Sequence, residues 1–190
     1  MKFFIIHGAY GNPKENWFHW LKKELESKGH TVFVPELPTP ENQSLENWME
    51  IMEPYLEKID PDTIFIGHSL GPAFILSILE KIDVEVKSCF FVSGFLGLLN
   101  NPDFDEINKT FTTKEFNWEK IKENCEKFYV IHSDNDPYVP LAKANELANK
   151  LNTDVIIIEG AGHFNESAGY TEFPKLLNLI EGEIKCMDKN

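Results

Sequence analysis

Ile64-Phe65-Ile66-Gly67-His68-Ser69-Leu70-Gly71-Pro72 is the stretch that decides the fold. An apolar run leads into a Gly-x-Ser-x-Gly pentapeptide and then into a helix-like segment from Leu70 to Ile82, the strand, sharp turn and helix of a nucleophile elbow. A serine hydroxyl is a weak nucleophile, so it must stand on a tight turn where a base can reach its oxygen. Gly67 and Gly71 let the backbone close in on either side of Ser69. Pro72 falls in the first helical turn, where no N–H partner is needed. An ordinary βα turn fits the same pentapeptide, so the reading rests on its flanks and on two residues far downstream.

Upstream, Phe3 to Ile6 is continuously apolar, as expected of a strand covered on both faces. It runs into the loop His7-Gly8-Ala9-Tyr10-Gly11. Asn12 and Pro13 predict the start of a helix carrying Trp17, Leu21 and Leu25 on one stripe, with Gly29 as its stop. His30 to Val34 predicts a second strand. Three prolines make Pro35 to Pro40 a loop over the sheet edge. Ser44 then caps a helix with Leu45, Trp48, Met49, Met52, Tyr55, Leu56 and Ile59 at helical spacing.

Downstream of the elbow, Val86 to Val92, Phe128 to His132 and Val155 to Ile158 read as further strands. Pro140 opens one helix, and Phe173, Leu176, Leu177, Ile180 and Ile184 mark a closing one. Between them, Phe95 to Trp118 has no clean period and is expected to be an irregular insert that gives the site an apolar wall. Strands alternating with helices predict an α/β fold: a doubly wound, mostly parallel six-stranded sheet with helices on both faces, in one domain over 1–190. Chemistry in such sheets collects at the carboxyl ends of the strands.

Three loops at those ends carry Ser69, Asp136 and His163, in the chain order of α/β-hydrolases. The acid loop reads His132-Ser133-Asp134-Asn135-Asp136-Pro137-Tyr138-Val139-Pro140. Asp136 is preferred over Asp134 because its Asp-x-x-Val-Pro ending places the acid just before a helix. Alone, Asp136 would read as a turn residue and His163 as a loop histidine. With Ser69 upstream, histidine is the side chain that can take the hydroxyl proton near neutrality, and aspartate the one that fixes its tautomer. The backbone N–H of Leu70 is one expected oxyanion donor and that of Ala9 the second, with Tyr10 as the alternative. Tyr10, Phe95, Tyr138 and Phe164 are candidate substrate-binding residues. His7 and His68 flank active-site glycines and are expected to fix loops by hydrogen bonding. His19, His30 and His132 show no ligand spacing, so no metal and no organic cofactor is expected.

The balance of 18 Lys+Arg against 31 Asp+Glu gives a formal charge of −13, which argues against nucleic acid or membrane surfaces as partners. The first apolar run is too short for a signal or membrane segment, and Cys89, Cys125 and Cys186 suggest neither a zinc site nor a disulfide framework. A cytoplasmic location is expected.

His7-Gly8, Asn16-Trp17-Phe18-His19-Trp20-Leu21, Pro35-Glu36-Leu37-Pro38, Gly67-His68-Ser69-Leu70-Gly71, Asp134 to Pro140 and Gly162-His163-Phe164 together carry a likeness over nearly the whole chain. The chain resembles the small serine hydrolases typified by retinoblastoma-binding protein 9 and its bacterial relatives, in the α/β-hydrolase superfamily. The resemblance implies a compact hydrolase without a large cap, with Ser69, Asp136 and His163 in the triad positions and esterase-like activity on small acyl esters. Peptidase-like or amide-cleaving activity with the same triad is the alternative it implies, and a protein-interaction role is another. The Ala9-Tyr10 pair between the glycines of the first loop departs from the Gly-rich form and leaves the second oxyanion donor open. The expectation is a carboxylic ester hydrolase acting on small, uncharged or modestly polar acyl substrates.

Overall fold

The computed structural model describes residues 1–187; the side chain of Cys186, one of the three cysteines considered above, lies outside the described part. Six strands form one sheet: β1 (Lys2–Ile6), β2 (Thr31–Phe33), β3 (Thr63–His68), β4 (Val86–Val92), β5 (Cys125–His132) and β6 (Val155–Ile157). Their order is β2-β1-β3-β4-β5-β6, and every neighbouring pair is parallel. The helices are α1 (Phe18–Ser27), α2 (Leu45–Leu56), α3 (Gly71–Lys81), α4 (Pro102–Thr112), α5 (Trp118–Glu123), α6 (Leu141–Leu151) and α7 (Pro174–Met187).

Side-chain alternation along the strands builds two cores. Phe4, Phe65, Phe91 and Val130 join one cluster with Trp48 of α2, Phe74 of α3 and Leu147 of α6. Phe3, Ile5, Ile64, Ile66, Phe90 and Val92 join the other with Leu21 of α1 and Ile180 of α7. Each fully buried side chain of this size contributes roughly 1.5–3 kcal/mol of transfer free energy, so the central strands are held from both faces. Among the described residues no helix is long and apolar enough to cross a membrane.

Two expected elements differ. The first helix starts at Phe18 rather than at Pro13. Asn12 Oδ1 accepts the Lys14 N–H at 2.9 Å, closing a local turn, and Asn16 adopts φ 52°, which interrupts any helix before Trp17. The stretch from Phe95 to Trp118 is not irregular throughout but contains α4. Asn101 caps it by accepting the Phe104 N–H, and Pro102 occupies its first turn. Phe104, Ile107 and Phe111 share a helical spacing that the surrounding turn residues masked.

The sheet order puts a switch point at the carboxyl ends of β1 and β3, where the chain leaves β1 toward one edge and later β3 toward the other. Ligands of open α/β sheets bind at such a crevice. The elbow sits there because α3 begins hard against β1: a Cβ built on Gly71 would lie 2.5 Å from the Ile6 carbonyl oxygen. Neither backbone can retreat without moving a core strand. Gly71→Ala is therefore expected to lower unfolding stability by about 2 kcal/mol or more, read as a shift of the urea midpoint; an unchanged midpoint would show that β1 and α3 can separate.

Candidate active site

Ser69 follows β3 with φ 57°, a left-handed conformation that costs a non-glycine residue of order 1–3 kcal/mol. Its N–H is tied to the Val92 carbonyl at 2.9 Å, so the turn is braced from β4. A Cβ on Gly67 would meet the Pro72 nitrogen and Ile75 Cδ1 at 2.7 Å, which is why glycine precedes the turn. Ser69 opens on a cavity of about 340 Å³, which His163 also lines. A larger open groove of about 880 Å³ runs past Leu45, Met49 and Ser77 on the outer helices, but none of the strand-end loops reaches it.

Asp136 and His163 meet directly: Nδ1–H of the imidazole donates to Asp136 Oδ2 at 2.8 Å. The same oxygen accepts the Ser93 hydroxyl at 2.8 Å, while Oδ1 accepts the N–H groups of Tyr138 at 2.9 Å and Val139 at 3.0 Å. The Asp136 side chain is fully buried. Burial alone would raise its pKa, but the bond from His163, the imidazole's charge and the two backbone donors outweigh it and hold the carboxyl below its usual range. Ser69 and His163 share the cavity, and no hydrogen bond joins the Ser69 hydroxyl to the ring among the described residues.

The His163 loop is laced to the acid loop. Asp134 Oδ1 accepts the Gly160 N–H at 2.8 Å, Ser133 Oγ the Ala161 N–H at 2.9 Å, and Asn135 Oδ1 the Gly162 N–H at 2.8 Å. Asp134, the other acid weighed from the sequence, spends its carboxylate on this lacing while Asp136 reaches the imidazole. From below, the Trp17 indole N–H donates to the Phe164 carbonyl at 2.9 Å. His68 Nε2–H donates to the His163 carbonyl at 2.8 Å, with ring centroids 4.8 Å apart.

Three further imidazoles around the site are buried and hydrogen-bonded to the backbone. His68 has its pKa lowered to about 3, first by burial and then by the neighbouring His163. His7 donates Nδ1–H to the Gly8 carbonyl at 2.8 Å and accepts the Leu37 N–H on Nε2 at 3.1 Å, tying the first loop to the proline loop. His132 donates Nε2–H to the Val139 carbonyl at 2.9 Å, and its buried Nδ1 has no partner. Burial lowers the pKa of both.

The Tyr10 N–H is taken by Thr39 Oγ1 at 2.6 Å, so it is not free to serve an oxyanion. Among the described residues the N–H groups of Ala9 and Leu70 have no partner. Tyr10 and Tyr138 line the cavity, each half exposed. Phe95 and Phe164 do not. Phe95 is 1% exposed in the core beneath α3 and α6, and Phe164 is fully buried against Tyr170 and Phe173. The apolar wall comes instead from Phe104, brought over the site by α4 between Tyr10 and Tyr138. Glu15, Asn16 and Asn165 also line the cavity. Sequence reasoning gave Glu15 and Asn16 no place at the site because Asn12 and Pro13 drew that region into a helix, and Asn165 carried no signal of its own. Among the described residues no group of three or more His, Cys, Asp or Glu is placed to hold a metal ion.

A family model described as serine hydrolase matches residues 3–182. The chain is 30% identical over 179 residues to YdeN of Bacillus subtilis (strain 168), covering 93% of each chain. The crystal structure of the ydeN gene product superposes with a TM-score of 0.90, at 29% identity over 97% of this chain and 98% of that one. Serine hydrolase RBBP9 of Rattus norvegicus is 29% identical over 183 residues, covering 95% of this chain and 94% of the relative. At 15% identity, a polyneuridine aldehyde esterase mutant shares the fold with a TM-score of 0.67, over 95% of this chain and 98% of that one.

The buried imidazoles set how the protein responds to acid. In the unfolded chain they take up protons below about pH 6.5, whereas in the fold burial lowers their pKa values, so stability is full above that pH and falls as pH drops below it. Loss of the Asp136 bonds follows at lower pH, as its carboxyl protonates. Between pH 7 and 5 the unfolding free energy is expected to decline, with His68, whose pKa is lowered to about 3, contributing a slope approaching about 1.4 kcal/mol per pH unit and His7 and His132 adding to it in the same direction. Urea midpoints measured across that range for the parent and His68→Gln test this. The variant should be less steep by close to one proton, and a flat parent profile would refute the account.

Proposed function

Because the chain belongs to the serine hydrolase family, we propose that it cleaves small carboxylic esters through an acyl-enzyme on Ser69. In this reading His163 is the general base and acid, and Asp136 orients its ring. The observation that supports it most is the 2.8 Å bond from His163 Nδ1 to a buried carboxylate, on the rim of the cavity into which Ser69 opens. That bond holds the proton on Nδ1 and leaves Nε2 as the ring's acceptor.

Ser69 Oγ adds to the ester carbonyl while its proton passes to His163 Nε2. The tetrahedral oxyanion is met by the N–H of Leu70, at the entrance to α3, and by the N–H of Ala9. Each such donor lowers the barrier by roughly 3 kcal/mol in comparable hydrolases. His163 then gives its proton to the departing alcohol as the C–O bond breaks. Water enters with His163 again as base, adds to the acyl carbon, and its proton returns through the ring to Ser69 as the acid leaves. Catalytic hydrogen bonds are often open in unliganded enzymes and tighten around the substrate, which accommodates the missing Ser69–His163 bond.

Fluorophosphonate labelling tests the nucleophile: the parent should label at Ser69, and Ser69→Ala should neither label nor turn over a panel of small acyl esters. Asp136→Asn should lower kcat by about 10⁴-fold with a far smaller change in KM, because it spoils the tautomer rather than substrate contact. Labelling of Ser69→Ala at the parental level would overturn the assignment, and faster turnover of amides than of esters with matched acyl groups would overturn the ester preference.

A further inference from the structure

Among the described residues that line the Ser69 cavity, Glu15 is the one carboxylate, and no lysine faces it. It belongs to the turns between β1 and α1 and lies close to the reacting centre. A Cβ on Gly11 would meet Glu15 Oε1 at 2.6 Å and the Gly8 carbonyl at 2.9 Å, and a Cβ on Gly8 would meet Ser69 Oγ at 3.2 Å. The acid is therefore within a small molecule's length of the nucleophile.

Glu15 is held but not neutralised. Asn12 Nδ2 donates to Oε2 at 3.3 Å and Asn16 Nδ2 to Oε1 at 3.2 Å, both long contacts from neutral amides. Burial is the largest influence on the carboxyl and raises its pKa; hydrogen bonds from Asn12 and Asn16 pull it back, and the charge of Glu166 pushes it up again. With a second acid for a neighbour and, among the described residues, no cation paired with it, this half-buried carboxylate lacks a counter-charge there.

The rest of the cavity suits a cation as well. Tyr10 and Phe104 have ring centroids 5.4 Å apart, Phe104 and Tyr138 6.5 Å, and both tyrosines are 50% exposed. Aromatic faces and a carboxylate are the two features that attract an ammonium group, whereas a neutral chain would strip water from Glu15 and return nothing. The formal charge of −13 over the whole chain adds a field that draws cations and repels anions.

We propose that the substrate is an ester carrying a positive charge a few atoms from the scissile carbonyl, with Glu15 as its counter-charge and Tyr10, Phe104 and Tyr138 as its walls. The bond cleaved rests on the hydrolase reading above; the charge preference rests on the cavity itself. This departs from the uncharged or modestly polar acyl group that the sequence suggested.

Matched ester pairs test the proposal at pH 7.5: ethyl β-alaninate against ethyl butyrate, and acetylcholine against 3,3-dimethylbutyl acetate. The first pair places the charge in the acyl half and the second in the alcohol half. At least one cationic member should exceed its neutral isostere in kcat/KM, and Glu15→Gln should reduce that ratio by about tenfold to a hundredfold, the range of a charge-assisted contact. Glu15→Lys should bring the ratio below one. Calorimetric binding of the same esters to Ser69→Ala needs no turnover and should show the same Glu15-dependent preference. A parent that hydrolyses the neutral esters equally well or better, or a ratio unmoved by Glu15→Gln, overturns the charge preference and leaves the hydrolase reading standing. Glu15-dependent cation binding by Ser69→Ala, with no ester cleaved by the parent, upholds the charge site and removes the hydrolase reading.

Discussion

Four hydrogen bonds converge on the Asp136 carboxylate, and the geometry of the site depends on them. They come from Ser93 after β4, from the Tyr138 and Val139 backbone after β5, and from His163 after β6. One buried anion thus ties three consecutive strand ends together. It stays charged because the donors outweigh its burial, and an unpaired carboxylate in that place would be strongly destabilising. Ser69 is then brought to the same rim by an independent device, the close fit of α3 against β1 at Gly71.

These devices do different work. The elbow stores strain: Ser69 at φ 57° and Ser93 at φ 49° are both non-glycine residues in the left-handed region, side by side at the ends of β3 and β4. The Ser69 N–H bond to Val92 and the Ser93 N–H bond to Ile131 hold each turn onto the next strand. The His163 loop carries its own strain at Phe164, with φ 52°, and is secured by side chains of Ser133, Asp134 and Asn135 bonded to three consecutive amides. A loop held at so many points places its imidazole with little freedom, as the orientation of a general base requires.

The sheet, its order of strands and helices, and the loops that carry Ser69, Asp136 and His163 were legible because each leaves a local trace: continuous apolar strands, helical spacing, glycines where backbones close in. What the sequence hid was set by contacts between distant segments. Phe95 and Phe164 are aromatic residues beside loop ends, and nothing in the sequence says that they turn inward while Phe104 turns toward the site. Glu15 was hidden by a reasonable start signal at Asn12-Pro13, which the left-handed Asn16 overrides. The choice between Asp134 and Asp136 rested on one local pattern, and the lacing of Gly160 by Asp134 supplies the reason that both acids are present.

The residue before Ser69 shows how a buried group can matter to the proposed chemistry without a direct part in it. His68 lies with its ring centroid 4.8 Å from that of His163. Were it protonated, the imidazolium that the proposed mechanism forms on His163 would face a second positive charge. At an effective dielectric of about 20 the repulsion would be roughly 3 kcal/mol, as large as the gain from an oxyanion donor and opposite in sign. Burial prevents this by holding the His68 pKa at about 3, so the ring keeps a single Nε2 proton and donates it to the His163 carbonyl. The packing of Trp17 and Phe18 around His68 is thus part of the electrostatics of the site. An asparagine there could make the same hydrogen bond without any charge to suppress, but it would leave the space between Trp17, Phe18 and His163 partly empty. Histidine fills that space, and the surrounding aromatic residues keep it neutral.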